Sequence, residues 1–119
     1  MADDYAIAHC EPCEDCVDEV WQHITGGELR WDASYHCSHY VIHACGGGRG
    51  VPPDHERERI IALEGTVLLP VGGADGIPLR LLRKLYRMSV AEVAAARAVG
   101  WAATPVEAEY LRSAAAREG

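Results

Sequence analysis

A chain of 119 residues, 49% apolar and 24% charged, holds one domain or a compact domain with a small extra module, which excludes a large multidomain enzyme. No run approaches the ~18 consecutive apolar residues of a membrane span, and the opening Met1-Ala-Asp-Asp lacks the basic-then-apolar pattern of a secretory signal, so a cytoplasmic location is expected. The net charge of -7 is unevenly spread: eight carboxylates and no Lys or Arg precede Arg30, whereas ten acidic and eleven basic residues share the remainder. Such a front repels nucleic acid, whose binding needs cations to displace phosphate counterions, and it attracts a basic protein partner. Glu14, Asp15, Asp18 and Glu19 are its densest cluster and the candidate partner-binding residues.

Residues 15–23 have a length and composition suited to a short helix, and 31–45 alternate as a strand or bent hairpin would. The run Gly46-Gly-Gly-Arg-Gly-Val-Pro-Pro53 is turn-forming and reads as a linker, dividing the chain into modules 1–50 and 51–119. Beyond it, Pro53-Asp-His-Glu56 opens a helix running to about Glu64, with acids in the first turn where the helix dipole favours them. A strand over 66–71 and a turn over 72–76 follow. Three helices are then expected: 78–87 with a stripe at Leu79, Leu82 and Leu85/Tyr86, 90–99 capped by Ser89 with Glu92, and 106–117 capped by Thr104 with Pro105 and Glu107. A brief strand fits 100–103.

All five cysteines, and five of the six histidines, lie within residues 9–45. Cys10-x2-Cys13-x2-Cys16 offers overlapping knuckles, and Cys37 and Cys45 come after a spacer close to that of a zinc ribbon. Zinc needs four soft or borderline ligands placed tetrahedrally, and a knuckle supplies two thiolates from one tight turn. The second knuckle has Tyr40 where a cysteine is normal, and His39 is the residue able to fill the vacancy. The expected structural Zn2+ site is therefore Cys13, Cys16, Cys37 and His39, with Cys45 as the alternative fourth ligand. Four or more candidate ligands favour a closed site over a catalytic one, and in the cytosol disulfides are not expected. The glycine run lacks the Lys-Ser/Thr of a phosphate loop.

The stretch from Thr66 to the end, above all Ile77-Pro-Leu-Arg-Leu-Leu-Arg-Lys-Leu-Tyr-Arg-Met-Ser-Val-Ala-Glu-Val-Ala94, resembles the C-terminal domain of the acidic ribosomal stalk protein of the large subunit. The resemblance implies a small βααβα domain. The whole chain also looks like small actinobacterial proteins that join a Cys-x2-Cys and Trp segment to such a domain, through Cys13-Glu-Asp-Cys16 with Trp21, Arg30-Trp-Asp-Ala-Ser-Tyr35 and Ala44-Cys-Gly-Gly-Gly-Arg-Gly50. Proteins of that build are similar in size and acidity to immunity proteins that neutralise secreted polymorphic toxins.

The expected fold is thus α+β, a zinc-ribbon-like module followed by the stalk-like domain. The expected function is non-enzymatic: an immunity protein whose acidic front covers a basic toxin domain, with a nuclease as the natural candidate. The alternative is a zinc-ribbon regulator contacting nucleic acid or the transcription and translation machinery, which the acidic ribbon disfavours.

Overall fold

The computed structural model describes residues 16–37 and 42–118. It is a small mixed α+β protein in which a three-stranded antiparallel sheet precedes a helical part containing a two-stranded sheet. Strands β1 (Cys16–Thr25) and β2 (Glu28–Cys37) form a hairpin closed by Gly26-Gly27, both at positive φ (61° and 80°), as a two-residue turn matched to strand twist requires. Strand β3 (Ile42–Arg49) returns along β2, giving the order β1-β2-β3.

Two sequence expectations are corrected here. Of the helix expected over 15–23, the described part, 16–23, is strand instead, since β1 begins at Cys16 and pairs along its whole length with β2. Val17, Val20, Trp21 and Ile24 have helical spacing, but a strand sends Val20 and Gln22 inward and leaves Val17 and Trp21 49% and 41% exposed. The ladder with β2 decides between two patterns that the apolar residues serve about equally well. The glycine run is likewise no linker up to residue 49, because Gly46, Gly47 and Gly48 are the second half of β3, opposite Ala33, Asp32 and Trp31. A Cβ on Gly47 would lie 2.6 Å from Asp32 Oδ1 and 2.7 Å from the Trp31 carbonyl oxygen, and one on Gly48 would lie 3.2 Å from Trp31 Nε1. At Gly47 and Gly48, then, β2 crowds over this strand and leaves little room for a side chain.

In the second half the elements fall close to expectation. Helix α1 (Asp54–Glu64) follows Pro53 with Asp54 and Glu56 in its first turn. Strand β4 (Val67–Leu69) pairs antiparallel with β5 (Trp101–Ala103), and between them lie α2 (Leu79–Leu85) and α3 (Val90–Val99), followed by α4 (Pro105–Glu118). Both capping boxes form: Glu92 N–H donates to Ser89 Oγ at 3.1 Å and Ser89 N–H to Glu92 Oε1 at 2.8 Å, while Glu107 N–H donates to Thr104 Oγ1 at 3.1 Å and Thr104 N–H to Glu107 Oε1 at 3.2 Å.

Two apolar clusters hold these elements. One, around Leu69, Ile77, Leu82, Ala103 and Leu111, lies wholly in the helical part. The other joins Val20, Ala33, Tyr35 and Cys37 of the sheet to Ile60 of α1, so the inner face of the sheet is covered from beyond the glycine run.

Candidate functional site

Cross-strand register sorts the sheet into two faces. Val20, Gln22, Leu29, Ala33, Tyr35 and Cys37 point inward and are buried. The opposite face carries Val17, Glu19, Trp21 and His23 on β1, then Arg30, Asp32, Ser34 and His36 on β2, and Cys45 and Arg49 on β3. It is open, with the half-exposed Trp21 beside Glu19 and opposite Asp32. His23 is fixed there, its Nε2 at 2.6 Å from Asp32 Oδ2 and its Nδ1 at 2.6 Å from Thr25 Oγ1.

The acidic residues divide between the two faces. Glu19 is exposed on the open face, whereas Asp18 points toward the helices and forms an ion pair with Arg59 at 3.2 Å. Arg59 also donates to the Asp18 carbonyl at 3.1 Å and to Glu56 Oε1 at 2.8 Å. Glu14 and Asp15 lie outside the described residues. Of the expected zinc ligands, Cys13 and His39 also lie outside them. Cys16 and Cys37 are direct partners in the β1–β2 register, and Cys37 is 0% exposed. Cys45 is exposed and opposite Ser34, on the other face of the sheet from Cys37. Among the described residues, no three His, Cys, Asp or Glu side chains gather to hold a metal.

The junction between sheet and helices is a buried polar cluster centred on Glu107, which is 0% exposed. Its Oε2 accepts from Gln22 Nε2 at 2.7 Å and Arg57 Nε at 3.0 Å, and its Oε1 from Arg57 Nη2 at 2.8 Å and the Tyr86 hydroxyl at 2.7 Å. Thr104 Oγ1 donates to Gln22 Oε1 at 2.5 Å, and Arg57 Nη2 reaches the Ala102 carbonyl at 3.1 Å. β1, α1, the end of α2 and the start of α4 thus meet at one carboxylate. Burial alone would raise the Glu107 pKa, but the hydrogen bonds and positive charge of Arg57, with the Gln22 and Tyr86 donors, hold it below the ordinary range. Burial also disfavours the Arg57 charge, and Glu107 reverses that, leaving the guanidinium pKa raised. Burial and then the Glu107 charge push the Tyr86 phenol up.

Beside this cluster a groove of about 680 Å³ opens between the segment that follows β3, the start of α1, the end of α2, the start of α3 and Trp101 of β5. Trp31, Tyr86 and Trp101 give it aromatic walls, with the two rings of the helical part 4.7 Å apart, and Asp54, Arg87 and Glu92 supply charge. Arg57 lies 5.3 Å from the Tyr86 ring centroid.

Comparison with protein-family models, curated proteins and solved structures finds no match to this chain. Among the described residues, no helix is long and apolar enough to cross a membrane. In the sequence Glu107 is legible only as part of a helix cap, and Trp31 only as part of the Arg30-Trp-Asp-Ala-Ser-Tyr35 stretch. No spacing rule links positions 22, 57, 86 and 107, so the cluster and the groove had no signal in the sequence beyond the Thr104-x2-Glu107 box itself.

Proposed function

We propose that this protein is a non-enzymatic binding module that captures a basic protein partner, in the manner of an immunity protein covering a toxin domain. The observation that carries the reading is the open sheet face, where Val17 and Trp21 stand exposed beside Glu19 at the end of a 29-residue stretch with eight carboxylates and no Lys or Arg. A half-exposed Trp with an apolar neighbour and surrounding charge has the composition of an interface hot spot. Acidic residues around it would accelerate encounter with a basic surface. The stalk-like reading of the second half is supported by its element order, β4-α2-α3-β5-α4, and by the two capping boxes.

Structural zinc belongs to the same proposal. The backbone pairing of Cys16 with Cys37 in the β1–β2 register supports this reading, and Cys13 and His39 would complete the set. Elemental analysis of the purified chain is expected to give about one zinc per molecule, with chelation lowering the melting temperature. Metal-free protein that melts identically with and without chelator removes the site.

The test of the capture mechanism is kinetic. The expected partner is a basic domain of a secreted protein encoded beside this chain. Its association should slow about tenfold from low to physiological salt while dissociation changes little, because screening acts on long-range encounter. Reversing Glu14, Asp15 and Glu19 to Lys spares the Asp18–Arg59 pair and should produce a comparable loss at low salt. Trp21→Ala should instead speed dissociation. Association indifferent to both salt and the reversals removes the acidic front from the mechanism.

A further inference from the structure

We propose that the outer edge of β3 and the adjoining aromatic groove form a second element of recognition, which takes an extended basic segment of the partner as a fourth strand of the sheet. This deepens the protein-capture reading and rests on it, but it concerns the opposite edge of the sheet from β1.

The phase of the ladder shows which backbone groups are available. Gly50 N–H donates to the Leu29 carbonyl at 2.7 Å, so positions 29 and 50 are a hydrogen-bonded pair. Alternation then makes 31/48, 33/46 and 35/44 hydrogen-bonded pairs as well, and directs the N–H and C=O of Cys45, Gly47 and Arg49 away from β2. The β1 side agrees with this phase. Tyr35 turns its backbone groups toward β3, so those of its β1 partner Asp18 point outward, and the Asp18 carbonyl accepts from Arg59. The β1 edge is thereby partly occupied, whereas among the described residues no strand lies on the far side of β3.

The β3 edge also lacks the devices that normally discourage pairing. Proteins guard edges with prolines, lysines, bulges or inward-pointing charges. Here three consecutive glycines put no side chain in the way of an added strand, and Arg49 at the end is the strand's one Lys, Arg, Asp or Glu. The Trp31 indole lies over Gly48, and Trp31 is also a wall of the groove. A residue opposite Gly48 on an added strand would lie about 4.8 Å further out and on the inner face, with its side chain beside that indole and at the groove mouth.

Charge identifies the occupant. Arg57 in the groove wall is already matched by Glu107 at 2.8 Å, leaving Asp54 and Glu92 against Arg87. An Arg or Lys side chain there would stack on the aromatic walls and meet the two carboxylates. A second copy of this chain, itself at -7, would be repelled. Main-chain hydrogen bonds to Cys45, Gly47 and Arg49 would give affinity, and the groove would give selectivity for the basic side chain.

The probe is a ten-residue synthetic peptide of alternating Arg and Val, titrated into the full chain and followed by anisotropy and by amide hydrogen exchange. Expected are protection of the Cys45, Gly47 and Arg49 amides and a change in tryptophan fluorescence. Binding should weaken about tenfold with Asp54→Lys, a rim position that takes part in none of the hydrogen bonds or ion pairs described above. Two further peptides, N-methylated on alternate amides in opposite phase, separate strand addition from simple charge attraction: one should bind and the other should not. Equal binding of both, equal binding of a Glu-Val peptide, no binding of the Arg-Val peptide, or binding of a ten-nucleotide RNA that protects the same amides overturns the proposal. Protection confined to β1 around Trp21 overturns it too, while leaving the protein-capture reading intact.

Discussion

Replacing Glu107 with Ala is expected to destabilise the protein by about 3–5 kcal/mol, the range found when one partner of a buried ion pair is removed. For a chain of this size that is a fall in melting temperature of about 10–20 °C. The cost arises less from the lost pair than from what stays behind: the Arg57 guanidinium, the Gln22 amide and the Tyr86 hydroxyl would all lose their shared acceptor. Glu107→Gln should be nearly as damaging, because an amide has one acceptor oxygen where five donors now converge and would turn an NH2 toward one of them. Tyr86→Phe, which removes one donor and leaves the carboxylate with others, should cost only about 1–2 kcal/mol.

Acid titration gives the same residue a second signature. The folded pKa of Glu107 is depressed, so its contribution to stability is complete above the unfolded glutamate value of about 4.3 and is lost as pH falls through the lower folded value. The stability gap between the parent and Glu107→Gln should therefore be constant near neutrality and narrow progressively below about pH 4.3. Thermal melts across that range measure it. A gap that stays constant into strong acid, or a Glu107→Gln protein that melts with the parent at pH 7, would show that the carboxylate charge does not hold the junction together.

What the sequence disclosed and what it hid follow one physical distinction. The helices of the second half were legible because their signals are local: Ser89 with Glu92, and Thr104 with Pro105 and Glu107, satisfy backbone donors within one turn of themselves. Strand β1 was not, because Val17, Val20, Trp21 and Ile24 suit a helix as well, and the pairing with β2 that settles the matter is a tertiary fact. The glycine run misled for a related reason. Glycine usually breaks elements, yet at Gly47 and Gly48 it allows β3 to lie against the backbone and side chains of Trp31 and Asp32. Candidate site residues fared according to the same rule: the acidic cluster is visible as composition, but which face Asp18 or Glu19 takes depends on register, and Asp18 proves to be paired with Arg59.

Residues 51–119 expressed alone should keep α2, α3 and α4 and lose α1. The cluster of Leu69, Ile77, Leu82, Ala96, Ala103 and Leu111 needs nothing from the sheet, and both capping boxes lie within the fragment. Helix α1 is in a different position, since the buried partners of Ile60 are Val20, Ala33, Tyr35 and Cys37, all on β1 and β2. An 11-residue helix that has lost its apolar contact falls below the length at which helices persist in water. Gln22 would be missing as well, leaving Thr104 without its acceptor and opening the Glu107 cluster to water. Circular dichroism should accordingly show helix for α2 to α4 but not for α1, with fast amide exchange over Asp54–Glu64 and a melting temperature well below that of the full chain. A fragment with α1 protected as in the full chain would make the sheet dispensable and place a true boundary at the end of β3. A wholly unfolded one would show that the two clusters fold as a single cooperative unit, joined through Ile60 and the Glu107 carboxylate.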